Sequence, residues 1–162
     1  MAVFDLAIGK TLAHEGGAKF TDDPADRGGA TKYGISQAAY PDLDIRNLTE
    51  QQARDIYKRD YWDRVHGDEI TSQVVAENIF DTCVNMGVRT GSRLAQVAVE
   101  IEPADGIIGS QSLKGINGYD EGSFISNYTI AKIARYAYIC NRNKSQKKFL
   151  LGWINRALGA VA

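Results

Sequence analysis

Excess positive charge, cysteine, histidine and long apolar runs are all scarce in this chain. Nineteen Lys and Arg stand against twenty Asp and Glu, a formal net charge of −1. That balance speaks against a dominant nucleic-acid footprint, because such surfaces concentrate excess cations. The two histidines, His14 and His66, and the two cysteines, Cys83 and Cys140, form no cluster with the spacing of a zinc site. Both cysteines sit in apolar helical contexts, where a free Cys is commonly a small core residue. Two buried, inert thiols are therefore expected ahead of a disulfide. No stretch nears the roughly 18 uninterrupted apolar residues of a membrane span. The opening Met1-Ala2-Val3-Phe4-Asp5 has neither the basic region nor the apolar run of a secretory signal. Synthesis in the cytoplasm is expected, with any extracellular substrate reached by another route. Linkers, low-complexity tracts and repeats are also missing, and strands do not alternate regularly with helices, which weighs against an α/β fold.

What remains is a helical pattern. At 162 residues and 44% hydrophobic, the chain is long enough for one compact domain with a real core. Phe4, Ala7, Ile8 and Leu12 recur at helical spacing and predict an amphipathic helix running to Glu15, stopped by Gly16-Gly17. Thr49-Glu50-Gln51-Gln52 reads as a capping box that opens a helix through Ala53, Ile56, Tyr57 and Tyr61, ending near Trp62. Further helices are predicted through Val75–Val84 with Gly87 as the stop, and from Leu94 through Val97 and Ile101 to the break at Pro103. After a turn-rich stretch from Asp105 to Gly122, a long helix uses Phe124, Ile125, Tyr128, Ile133, Ala134, Ala137 and Tyr138. A last piece carries Phe149, Leu150, Trp153 and Ile154. Between Ala18 and Ile35 the helical period is lost. Gly, Asp and Pro dominate there and predict a small hairpin turning at Gly28-Gly29, its second strand beginning near Ala30. The fold class is mainly α with a small N-terminal β-hairpin.

One segment carries chemistry. His14-Glu15-Gly16-Gly17 sets a carboxylate at a helix end, and the glycine-rich stretch after it holds Asp22, Asp23, Asp26, Thr31 and Tyr33. The partly negative helix C-terminus disfavours a further negative charge and favours a protonated Glu15, which suits a proton donor. His14 has a neutral-range pKa by type, but adjacent helix residues point in different directions, and a helix-end role fits it better.

The run Glu15-Gly16-Gly17 followed by Asp23-Pro24-Ala25-Asp26-Arg27-Gly28-Gly29-Ala30-Thr31-Lys32-Tyr33-Gly34-Ile35 resembles the signature of the glycoside hydrolase family 108 lysozyme-like proteins. Tyr57–Trp62 and Phe80–Gly87 are similar to the family's next two blocks. Asp105-Gly106-Ile107-Ile108-Gly109-Ser110-Gln111-Ser112-Leu113 resembles the Asp-Gly-x-x-Gly-x-x-Thr-Leu run of predicted peptidoglycan-binding segments. Ala18-Lys19 and Ser112 depart from the pattern: an aromatic-aliphatic pair and a Thr are usual there. Members are commonly phage or prophage endolysins, and some relatives carry the label secretion activator protein. The resemblance implies one lysozyme-like domain over residues 1–162, with residues 1–90 as its catalytic part and 91–162 as a helical part bearing the peptidoglycan-binding-like segment.

It implies cleavage of the β-1,4 bond between N-acetylmuramic acid and N-acetylglucosamine, on peptidoglycan strands, by a monomer that needs no metal or other cofactor. Glycosidic hydrolysis requires a proton at the leaving oxygen and a nucleophile or activated water on the opposite face. Glu15 is the expected acid. Thr31 could hold the water, with Asp23 or Asp26 orienting it or stabilising the cationic sugar; the choice between the two stays open. Tyr33, Tyr61 and Trp62 are candidates to stack on sugar rings, and Asn85 to hydrogen-bond an N-acetyl group or simply to cap its helix. The basic run Arg142, Lys144, Lys147 and Lys148 reads first as a solvated helix end. A noncatalytic wall-binding or secretion-assisting module, and a lytic transglycosylase, are the competing functions.

Overall fold

In the computed structural model, residues 1–14, 16–22 and 28–159 are described, His14 by its backbone alone. Seven α-helices and one two-stranded sheet are formed among them: α1 (Phe4–His14), β1 (Thr31–Lys32), β2 (Ile35–Ser36), α2 (Glu50–Tyr57), α3 (Gln73–Met86), α4 (Val88–Ala98), α5 (Ser110–Gly118), α6 (Glu121–Arg142) and α7 (Leu150–Leu158). The mainly helical, lysozyme-like class is as the sequence implies.

Helix α1 ends where glycine permits it. Gly16 and Gly17 take φ of +88° and +57°, and the Gly17 N–H donates to Leu12 O at 2.9 Å, closing the last turn. The capping box at α2 is complete: Thr49 Oγ1 accepts from Gln52 N, and Gln52 Oε1 accepts from Thr49 N. The helical path continues past α2 through a wider π turn at Lys58–Trp62 and a 3-10 turn at Asp63–Val65. Gly87 stops α3 at φ +87°.

A cluster of edge-on aromatic rings fixes the centre. Phe4, Trp62 and Phe80 meet pairwise with centroids 5.7–5.8 Å apart, and Tyr57 joins Phe80 at 6.4 Å. Each such contact adds about 0.5–1.5 kcal/mol beyond area burial. Helix α3 runs through this core and packs on α1, α4 and α6. Its approach to α4 is set by Gly91, where a β-carbon would lie 2.5 Å from Cys83 Sγ. Both cysteines are free and buried, and burial pushes the Cys83 thiol up to about 12. No helix among the described residues is long and apolar enough to cross a membrane.

Four sequence expectations are corrected. The hairpin turns at Tyr33-Gly34 and not at Gly28-Gly29: Thr31 pairs with Ser36 and Lys32 with Ile35. Tyr33 and Gly34 both take positive φ, +53° and +74°, the backbone of a two-residue hairpin turn whose twist matches its strands. Helix α4 ends at Ala98, short of Pro103, because Glu100 adopts φ +59° and Ile101 N and Glu100 N donate back to Gln96 O and Val97 O. Val97, expected inside, is exposed. The turn-rich stretch from Asp105 to Gly122 contains α5, which buries Ser112, Leu113 and Ile116; its glycines and serines hide a genuine three-to-four spacing. On α6 the buried stripe is Phe124, Ile125, Tyr128, Ala131, Lys132, Tyr136 and Cys140, while Tyr138 is exposed.

Candidate functional site

The glycine pair that ends α1 anchors the segment carrying the candidate residues. Glu15, the residue after α1, and Asp23 and Asp26 lie outside the described residues. The segments on either side of them are fixed in place. Thr21 and Thr31 exchange two backbone hydrogen bonds, at 2.9 and 2.8 Å. The Tyr33 N–H donates to Gly17 O at 3.0 Å, which fastens the hairpin turn directly to the glycine pair that terminates α1.

Thr31 is half-buried, and its hydroxyl donates to Gly29 O at 3.2 Å. Tyr33 is locked from three sides: its N–H on Gly17, its carbonyl accepting from Tyr57 Oη at 2.9 Å, and its ring buried in the core. A non-glycine residue at positive φ costs about 1–2 kcal/mol, and these contacts hold it there. With 9% exposure the Tyr33 ring belongs to the core and does not line an open cleft. Trp62 is 0% exposed, and its indole N–H donates to Asp68 Oδ1 at 2.8 Å. Stacking on a sugar is closed to it; its ring instead supports α1 through Phe4. Tyr61 is half-buried and rests tilted against Tyr57, 5.7 Å between centroids.

A groove of about 580 Å³ opens beside α1. Ala7, Lys10 and Thr11 form one wall, Glu77, Asn78 and Asp81 of α3 another, and Lys132 of α6 with Asn155 and Arg156 of α7 close it. Thr11 stands four residues before Glu15 in the chain. Asp81 and Arg156 make a two-armed ion pair, Nη2 to Oδ1 at 2.7 Å and Nε to Oδ2 at 3.3 Å. With its amide oxygen turned toward Arg156, Asn85 accepts from Nη1 at 3.0 Å and Nε at 3.1 Å. Asn85 is thus an arm of this cluster and not a helix cap. At the outer wall Lys10 pairs with Glu77 at 2.6 Å.

Lys132 was not anticipated. It is 5% exposed, its ammonium 5.1 Å from the Tyr128 ring centroid, and desolvation lowers its pKa; Asp81 opposes that shift and Arg156 adds to it. The signal was legible: Phe124, Tyr128, Lys132 and Tyr136 recur every four residues, so one helical stripe carries a lysine among aromatics. A larger hollow, about 1020 Å³, lies around Met1–Asp5, Glu50, Arg54 and Lys58 at the opposite end of α1. Among the described residues no group of three His, Cys, Asp or Glu side chains could hold a metal ion.

The Asp105–Leu113 segment is an internal clamp. Gln96, 2% exposed, donates from Nε2 to Asp105 Oδ1 at 2.8 Å and to Ser112 Oγ at 3.0 Å, while its Oε1 accepts from Gly106 N at 2.8 Å. Asp105 also accepts from Ile107 N, and the Gln96 contact, then that of Ile107, holds its carboxyl below the usual range. At Gly106, φ is +82° and a β-carbon would lie 2.6 Å from Arg89 O. The Asp, Gly and Ser of this run are therefore engaged with the protein itself.

Residues 8–87 match the model of glycosyl hydrolase 108, and residues 87–158 match that of the predicted peptidoglycan domain. The structure of Brucella abortus SagA is similar at 27% identity and a TM-score of 0.77, covering 97% of this chain and 90% of that one. No curated protein matches. Residues 8–87 thus carry the glycosyl hydrolase 108 match and residues 87–158 the predicted peptidoglycan domain, a combination that supports a lysozyme-like, peptidoglycan-related function.

Proposed function

We propose that this protein is an N-acetylmuramidase that hydrolyses the β-1,4 bond between N-acetylmuramic acid and N-acetylglucosamine, with Glu15 as general acid. The observation that carries the reading is the fastening of the hairpin to Gly17, within a segment matched by the family 108 model. That bond ties the turn bearing Tyr33, two residues from Thr31, to the glycine pair following Glu15, and the groove beside Thr11 opens at the same helix.

In this mechanism Glu15 gives its proton to the leaving glycosidic oxygen as positive charge grows on the sugar. Thr31 holds the attacking water by a lone pair, since its hydroxyl proton is committed to Gly29 O. Asp23 or Asp26 orients that water or stabilises the cationic sugar. Residues 1–90 supply this chemistry and residues 91–162 hold the glycan against it. The enzyme acts in the periplasm or at the cell wall.

Purified peptidoglycan digested with the wild type and with Glu15→Gln, followed by identification of the new ends, tests this. A loss of about 10²- to 10⁴-fold in the variant is expected, the range for a positioned general acid, with reducing N-acetylmuramic acid ends from the wild type. Equal lysis by both proteins would overturn the assignment of Glu15, and 1,6-anhydro ends would make the enzyme a lytic transglycosylase.

A further inference from the structure

Among the described residues the groove holds a charge without a counterpart. Of the cations lining it, Lys10 is paired with Glu77 and Arg156 with Asp81 and Asn85. Lys132 makes no hydrogen bond and no ion pair among the described residues, yet its side chain is nineteen-twentieths buried and lines both the groove and the smaller recess that runs on toward Asn85 and Tyr136. A buried ammonium whose neighbours among the described residues include an aromatic ring and an already paired carboxylate but no ion-pair partner is costly unless an anion completes it. Desolvation of its charged form points the same way. The amides of Asn78 and Asn155 stand on the same walls, suited to hydrogen-bonding a peptide backbone.

We infer that Lys132 binds a carboxylate on the peptide stem of peptidoglycan, so that the groove between α1, α3, α6 and α7 recognises the peptide and not the sugar. The inference rests on the reading that peptidoglycan is the substrate. It makes Lys132 a specificity-determining residue: glycan carrying stem peptides is held by an ion pair that stripped glycan cannot form. The geometry of the neighbours fits a single carboxylate. Arg156 is committed to Asp81 and Asn85, and the Asp81 charge disfavours a second anion nearby.

The test is calorimetric titration of the full chain with a synthetic stem tripeptide bearing free carboxylates, and with the same peptide fully amidated. Wild-type protein is expected to bind the free acid about 10- to 100-fold more tightly than the amide, the range of a charge-assisted hydrogen bond. Lys132→Met should erase that preference, and Lys132→Arg should retain most of it. Lys132→Met is also expected to melt at or above the wild-type temperature, because it removes an unpaired buried charge while keeping the stem. A variant that melts lower, or a wild type that does not distinguish the acid from the amide, would overturn the inference. The two readings fail separately. Peptide binding without any release of glycan fragments sinks the hydrolase and leaves the site standing; hydrolysis with equal affinity for both peptides sinks the site and leaves the hydrolase.

Discussion

Replacing Gln96 by Leu separates a structural clamp from a ligand contact in the half of the chain that carries the predicted peptidoglycan domain. Gln96 is buried, and its amide joins α4 to Asp105, Gly106 and Ser112. Leucine fills a similar volume but leaves the buried Gly106 N–H without an acceptor. One stranded buried donor costs about 1–3 kcal/mol and the lost bonds to Asp105, Ile107 O and Ser112 together about 1 kcal/mol more. Asp105 keeps Ile107 N, and Ser112 keeps Ile107 O at 3.4 Å, so the damage stops there. The sum is about 2–4 kcal/mol, or a fall in Tm of roughly 5–15 °C for a domain of this size. Calorimetry measures the stability, and pelleting with insoluble peptidoglycan, well below both melting temperatures, measures the binding.

The companion variant is Asp105→Asn. Its side-chain oxygen still accepts from Gln96 and Ile107, so wall binding should stay within about twofold of wild type, an effect under 0.5 kcal/mol. If Asp105 contacted the wall directly, binding would fall with Tm unchanged. That single result refutes the clamp.

Three further outcomes follow from packing and titration. Gly91→Ala should destabilise by about 1–3 kcal/mol through overpacking against Cys83, partly offset by helix propensity of about 1 kcal/mol. In a Cys83→Ala background the same change should cost less, giving a favourable coupling in a double-mutant cycle read by urea denaturation; additive costs would show that the two helices do not meet there. The Cys83 thiol, raised to about 12 by burial, should resist a disulfide-exchange reagent at pH 8 until the chain unfolds; rapid native labelling of Cys83 would contradict its burial. Asp68 is lowered first by the Trp62 indole N–H and then by Lys58. A depressed carboxylate contributes stability above its unfolded value, about 3.9, and loses it as pH falls through the folded value. Asp68→Asn should therefore narrow its stability deficit against wild type as pH drops from about 5 toward 2, in thermal melts across that range; a constant gap would refute the linkage.

Local signals carried much of this fold to the surface of the sequence. The capping box at Thr49, the stop at Gly87 and the glycine pair after α1 each act over four or five residues, and each appears where the local chemistry places it. The hairpin was legible as an element but not in register. Gly28-Gly29 is the stronger turn signal by composition, while the actual turn puts Tyr33 at a positive φ that only tertiary contacts with Gly17 and Tyr57 sustain. Helix α5 was missed for the opposite reason: its residues have weak helix propensity, and burial of Ser112, Leu113 and Ile116 supplies what propensity does not.

The aromatic candidates show why type and motif position do not by themselves identify a sugar platform. Tyr33 and Trp62 belong to recognisable blocks, yet both rings are buried: Trp62 is spent on Phe4 and Phe80, and Tyr33 is only 9% exposed, with the Lys32 ammonium over its ring. Polar residues reverse the argument. Asn85 and Asp81 come to the groove because α7 presents Arg156 to them from 75 residues beyond Asp81, a separation that no local pattern encodes. Lys132 lies between these cases. Its four-residue spacing from Tyr128 and Tyr136 fixes it on the buried stripe, while the partner that would compensate its charge is not found among the described residues. A lysine held at such a position without a carboxylate lowers stability, and a change to Met would relieve it. Its lowered pKa gives that cost a pH signature: the unfolded chain holds the proton to higher pH, so wild-type stability rises relative to Lys132→Met as pH climbs toward the ordinary lysine value, about 10.4. A stability difference between the two proteins that stayed flat up to that pH would mean that Lys132 is solvated as freely in the native state as in the unfolded one, and the groove would lose its reason to bind an anion.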